Sequence, residues 1–344
     1  MSRGLSRPVA SVVASFAVIA AVAGGSAAAA LRPSGVVPGV SSLSAIACPT
    51  VSRCIAVGTD ASENGKTAVV NTANAAATPW SGKLAEHILD AVACAKATTC
   101  VAVASDVTAS VAVATGAARV VATMRAPADE ITALDSIACP SAAGCYAVGF
   151  QGTEAVSKGI VAHVSAGGAL LGSMLEPAAS GYGAIACPTA TECLLAEANR
   201  ANPERIQLLT NGHFGVSHAL PAKTYVEGLA CFKALACLAL GGKTTTDKTN
   251  ELLKINPTTG ALESVSRIAG AFSGNSIACS SATECIVTGF SGPSKPQIAI
   301  TMKGKPSAPR AVGGTGVGGI ACTPKSVCFA VGQATNTEAI VLRV

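Results

Sequence analysis

The amino-acid sequence predicts an all-β protein: a seven-bladed β-propeller of four-stranded blades, with one disulfide inside each blade. Three observations carry this. A cysteine pair at C-x5-C spacing recurs seven times, its leading Cys at 48, 94, 139, 187, 231, 279 and 322. Successive leading cysteines lie 43 to 48 residues apart, and each interval holds four short apolar runs divided by turn residues, the pattern of a propeller blade. The composition suits closely packed β-layers: 50% apolar, 3% aromatic and 12% charged over 344 residues, with Ala and Val dominating the apolar share.

The units read SAIACPTVSRCIAVG from Ser44, DSIACPSAAGCYAVG from Asp135 and GGIACTPKSVCFAVG from Gly318. A first strand ends at the leading Cys with a small-large-small triplet such as Ala45-Ile46-Ala47, and a second starts at the trailing Cys, as in Cys54 to Gly58. A third follows a polar loop, as in Thr67 to Asn71, Ile160 to Val164 and Glu251 to Ile255. Asn211-Gly212, Gly167-Gly168, Lys303-Gly304 and Asn256 to Gly260 then carry the chemistry of hairpin turns into a fourth. Small residues fit where inner strands converge on the axis, and the large one fills the wedge between blades. A β-helix would repeat nearer every twenty residues, and an α-solenoid would show a 3.6-residue period. After Cys328 only two strands remain, Phe329 to Gly332 and Glu338 to Val344, so the last blade lacks its fourth. Residues 31–42, beginning with Gly35-Val36-Val37, are expected to complete it, at the edge position that Pro33 and Pro38 demand.

Residues 1–30 read as a signal peptide, leaving 31–344 as a single propeller domain. Arg3 and Arg7 supply the basic start, Pro8 to Ala23 the apolar stretch, and Ser26 to Ala30 small residues for cleavage. An uncleaved anchor is the alternative. No Cys precedes Cys48, which removes the lipoprotein route. Without Arg3 and Arg7 the formal charge falls from +5 to +3. No basic stripe with interleaved aromatics is present, so nucleic acid is not an expected partner. With no second run long enough to span a bilayer, the mature chain is expected to be a monomer, secreted or in the cell envelope.

Fourteen cysteines behind such a leader point to an oxidising compartment. The spacing pairs Cys48–Cys54, Cys94–Cys100, Cys139–Cys145, Cys187–Cys193, Cys231–Cys237, Cys279–Cys285 and Cys322–Cys328 across neighbouring antiparallel strands, whose α-carbons normally lie about 4.5–5.5 Å apart. A metal site would need four converging ligands, and these pairs belong to separate blades.

Motifs for catalysis are missing. There is no G-x-S-x-G elbow and no H-E-x-x-H. Gly65-Lys66-Thr67 and Gly242-Lys243-Thr244 resemble the end of a P-loop, but Asp60 and Cys237 stand where its first Gly belongs. His87, His163, His213 and His218 are scattered. No catalytic residue, metal site or cofactor is therefore assigned, and the reading leans away from an enzyme. One ring stands out. Two residues before the large apolar position come Ser44, Asp90, Asp135, Gly183, Glu227, Asn275 and Gly318, expected at the start of each innermost strand around one mouth of the central channel. Asp90, Asp135, Glu227, Asn275 and Ser44 are the candidates to hold a cation or a polar ligand. The plainer reading is a wet, polar channel mouth.

The signature [SAG]-I-A-C-P-x4-C-x-A-V-G resembles the repeats of secreted, mostly uncharacterised propeller proteins of actinobacteria and related high-GC bacteria. The similarity spans residues 31–344. Ala95 and Phe232 replace the Pro in blades 2 and 5, and blades 4 and 5 lose the Ala-Val-Gly. The resemblance implies an extracellular propeller and brings no catalytic residues with it. Three functions follow: a non-enzymatic binding scaffold for an envelope or extracellular protein or glycan, a lactonase-like hydrolase or lyase working at the channel mouth, and a structural envelope component.

Overall fold

The computed structural model describes residues 35–344 apart from 154–155, 199–203, 244–247, 271, 293–294, 303–304 and 336, so the leader expected over 1–30 lies outside the described residues. The chain forms seven antiparallel sheets; six are laid down in sequence order from the axis outward, and the seventh takes its outermost strand from the N-terminal end. Blade 1 shows the plan: Ser42–Ala47, Arg53–Thr59, Gly65–Asn71 and Ala77–Pro79. The inner strands of blades 2 to 7 are Ala91–Lys96, Ile131–Ser141, Tyr182–Ala186, Thr224–Phe232, Ser273–Cys279 and Gly316–Cys322. Blade 6 splits its outer strand into Lys305–Pro306 and Arg310–Ala311, both paired with Pro296–Met302. The one helical element among the described residues is a 3-10 turn, Lys233–Leu235, in the blade-5 cysteine loop where Phe232 replaces the Pro.

The ring closes on the strand the seventh unit lacked. Gly35–Val37 lies antiparallel against Glu338–Arg343, pairing Gly35 with Val341 and Val37 with Ala339. The Ala339 amide donates to the Val40 carbonyl at 2.9 Å. Val37 and Val40 are fully buried, so the N-terminal strand contributes core as well as hydrogen bonds.

Seven hydrophobic clusters occupy the seven seams between blades. The first joins Ile46 and Val70 of blade 1 to Phe329 and Val341 of blade 7, and the sixth and seventh blades share Ile286, Ile320 and Ile340. The large residue of each triplet, Ile46, Val92, Ile137, Ile185, Leu229, Ile277 or Ile320, is buried in such a wedge. Turn glycines at positive φ latch neighbouring blades: Gly116 (φ 73°) and Gly168 (φ 93°) turn their carbonyls to the hydroxyls of Thr67 and Thr108 on the preceding blade.

A second glycine position is set by close approach. Four residues after the trailing Cys stand Gly58, Ala104, Gly149, Glu197, Gly241, Gly289 and Gly332. At all five glycines a Cβ would fall 1.8 to 2.2 Å from a carbonyl oxygen of the inner strand, so the sheet itself excludes a side chain there. Blade 2 places a methyl there with Ala104, and blade 4 departs furthest with Glu197.

Each blade carries one disulfide, and among the described residues no cysteine is free. The Cα–Cα distances are 3.8 to 4.1 Å, shorter than the spacing expected for antiparallel neighbours. Cys231–Cys237, Cys279–Cys285 and Cys322–Cys328 are direct cross-strand partners, and the bridge draws that close pairing in further. Seven such bridges indicate an oxidising environment. Among the described residues no helix is long and apolar enough to cross a membrane.

Candidate functional site: the central channel

The inner strand of every blade carries the same irregularity. In blade 1, Leu43 pairs with Gly58 and Ala45 with Val57, which leaves Ser44 as an extra residue on the inner strand. The same skip falls at Asp135, Gly183, Glu227 and Asn275, and at Gly318 together with Gly319. In blade 2 the Asp90 amide donates to the Val103 carbonyl at 3.0 Å while Ala91 pairs with Val103, the same two-against-one arrangement. These are β-bulges, which bend a strand and re-aim the side chain of the extra residue. The ring therefore lies within the inner strands in six blades, not at their starts, and only Asp90 precedes its strand. Pattern alone hid this, because a bulge shifts a strand's register without changing its composition.

The seven bulge residues and the two after each of them line one central channel of about 410 Å³. Among the described residues no Lys, Arg or His lines it. Asp90, Asp135, Glu227 and Asn275 are exposed to it, whereas Ser44 is half-buried. Asn275 does not point freely: its Nδ2 donates to the Val317 carbonyl of blade 7 at 3.0 Å, which ties two bulges together. Gly318 and Gly319 leave room for the backbone of Ser44 and Ala45, with a Cβ at either meeting blade 1 within 3 Å. The acids thus gather on blades 2, 3 and 5.

Asp90 and Asp135 occupy adjacent bulges. Both carboxylates face the channel, yet the protein around its walls partly desolvates them; this raises the Asp135 pKa to about 6, with the charge of Asp90 as the second cause. Burial likewise raises Asp90, against a backbone hydrogen bond from Ser105 that favours its charged form. Among the described residues no group of three His, Cys, Asp or Glu side chains converges to hold a metal ion.

A recess of about 250 Å³ lies beside Glu227, bounded by Gly183, Ala198, Val226 and Glu204. Glu204 is fully buried and accepts the Val226 amide at 2.5 Å. The repeat pattern gave no signal for Glu204, which precedes the third strand of blade 4, where loop lengths vary. The P-loop look-alikes are structural: Lys66 Nζ donates to the Gly82 carbonyl at 2.8 Å, and Lys243 Nζ to Thr224 Oγ1 at 2.6 Å.

No protein-family model and no curated protein sequence matches the chain. Solved structures do. The WD40 β-propeller domain of Doa1 matches with a TM-score of 0.64 at 10% identity, covering 90% of this chain and 96% of that one. A chain of the mitotic checkpoint complex matches with a TM-score of 0.65 at 11% identity, over 100% of this chain and 99% of that one. The likeness is one of fold alone. A seven-bladed propeller with a disulfide in each blade fits a repeat-propeller protein.

Proposed function

We propose that the protein is a non-enzymatic binding scaffold outside the cytoplasm, exported by its N-terminal segment, and that its channel receives a cationic group of an envelope or extracellular partner. One observation carries this reading. Bulges aim Asp90, Asp135 and Glu227 into a single channel whose described lining residues include no basic side chain. Narrow walls of low polarisability focus that negative field. WD40-like folds without catalytic motifs favour the scaffold over a hydrolase, a reading by analogy of fold.

The test is calorimetric titration of the intact oxidised protein with spermidine at low salt. Binding is expected, weakening with added salt, and lost in the triple variant Asp90→Asn, Asp135→Asn, Glu227→Gln. Equal binding by the triple variant would remove the channel from the reading. Export is tested by N-terminal sequencing of the protein from culture medium, with a start near residue 31 expected.

A further inference from the structure

The seven blades form an internal control, because whatever the fold needs recurs in all of them. Blade 4 breaks the pattern at one register pair. Where blade 1 pairs Leu43 with Gly58 and blade 3 pairs Leu134 with Gly149, blade 4 pairs Tyr182 with Glu197. Both are buried, at 1% and 5% exposure. A buried Glu where five blades carry Gly and one carries Ala serves no need the blades share.

These two side chains border a cavity of about 10 Å³ at the seam of blades 3 and 4, together with Glu176 of blade 3 and Arg205 of blade 4. Gly159 of blade 3 makes room for the Tyr182 ring, since a Cβ there would sit 2.5 Å from Cε2. The Tyr182 hydroxyl ends in this cavity, buried and without a hydrogen-bond partner among the described residues. Burial, reinforced by the charges of Glu176 and Glu197, holds that phenol neutral, so it always carries a proton to donate. The neighbouring carboxyls accept backbone amides and, with about four acceptor sites each, can take a further donor. Glu176 accepts the Ala178 amide at 3.0 Å, and Glu197 accepts from the backbone of Ser180 and Arg205.

We propose that Tyr182, Glu176 and Glu197 hold one buried water that links blades 3 and 4. The volume is that of a single water, and the site offers the two to four polar partners such a water needs. The water accepts a hydrogen bond from the Tyr182 hydroxyl and donates one to each of the two carboxyl groups. A buried hydroxyl left unpaired would cost stability, and the water gives the Tyr182 hydroxyl a partner.

Tyr182→Phe tests this by the sign of its effect. If the hydroxyl serves a water, Phe leaves that water short of a partner and the melting temperature falls by about 2 °C or more. If the hydroxyl is an orphan, Phe removes a buried polar group and the melting temperature is unchanged or rises, which overturns the proposal. A crystal structure resolving solvent should show a density peak within hydrogen-bond distance of Tyr182 Oη. A direct Tyr182–Glu197 bond with no such peak would overturn it too, as would a melting temperature that depends on sodium against choline chloride.

Discussion

Replacing Asp135 by Asn should raise stability at neutral pH and leave it unchanged in acid. The unfolded chain titrates Asp135 at its ordinary 3.8, and the native channel holds it at about 6. Between these values the native state binds a proton that the unfolded state has lost, so stability falls as pH rises through this window and is flat above it. The penalty is therefore full above about pH 6 and absent below 3.8. A shift of about two units corresponds to at most about 3 kcal/mol. Asp135 is exposed to channel water, and screening reduces this to about 1 kcal/mol. For a chain of this size that is a gain of about 2 °C in melting temperature. Calorimetric scans of wild type and Asp135→Asn at pH 7.5 and pH 4 decide it. The gain belongs at pH 7.5 alone. An equal gain at both values, or none at pH 7.5, would refute the placement of Asp135 in a desolvated, like-charged niche. Asp90→Asn should also move the Asp135 midpoint below about 6, because it removes the second cause of the shift.

The bridges close loops of about seven residues, for which chain entropy gives about 2.4 kcal/mol each, so strong reductant should lower the melting temperature sharply; an unchanged value would show the bridges to be idle. Gly149→Ala places a Cβ 1.8 Å from the Ala133 oxygen and should lower the melting temperature by forcing the strand pair apart, whereas Gly172→Ala, with nothing within 4 Å, should be silent. Val37→Asp puts a charge into the fully buried closing strand and should cost about 3 kcal/mol in denaturant titrations; a normal midpoint would mean that Gly35–Val37 does not close the ring. Spermidine affinity should weaken from pH 7.5 to pH 5, as Asp135 takes up its proton; a flat profile would place the binding charge elsewhere.

Repetition is what made the fold legible. Seven cysteine pairs fixed the blade count and the hairpin that each bridge closes, and the missing fourth strand after Val344 pointed to Gly35–Val37. These features follow from local chemistry and from counting. The site was legible only in part. Asp90, Asp135 and Glu227 were placed on the channel because their offset from Ile46 and its counterparts is constant, but the bulge that aims them inward is a property of pairing between strands. Asn275 looked equivalent to the acids, yet its amide belongs to the next blade. Glu204 and Tyr182 left no mark in the pattern, since each acts through a neighbour brought close by the ring.

The repeat also sorts what the backbone demands from what the chain adds. A bulge at the same place in seven blades is fold, and it brings one residue of each blade to one channel whatever that residue is. The glycines after the trailing cysteines are fold as well, because five of them face a carbonyl too near for any Cβ. Against that background the acids of blades 2, 3 and 5 and the Tyr182–Glu197 pair of blade 4 stand out as choices the architecture does not force. Carboxylates crowded onto adjacent bulges oppose one another, and a buried Glu at a glycine site is costly. Their cost to folding is the physical reason to seek the function of this propeller at the channel first.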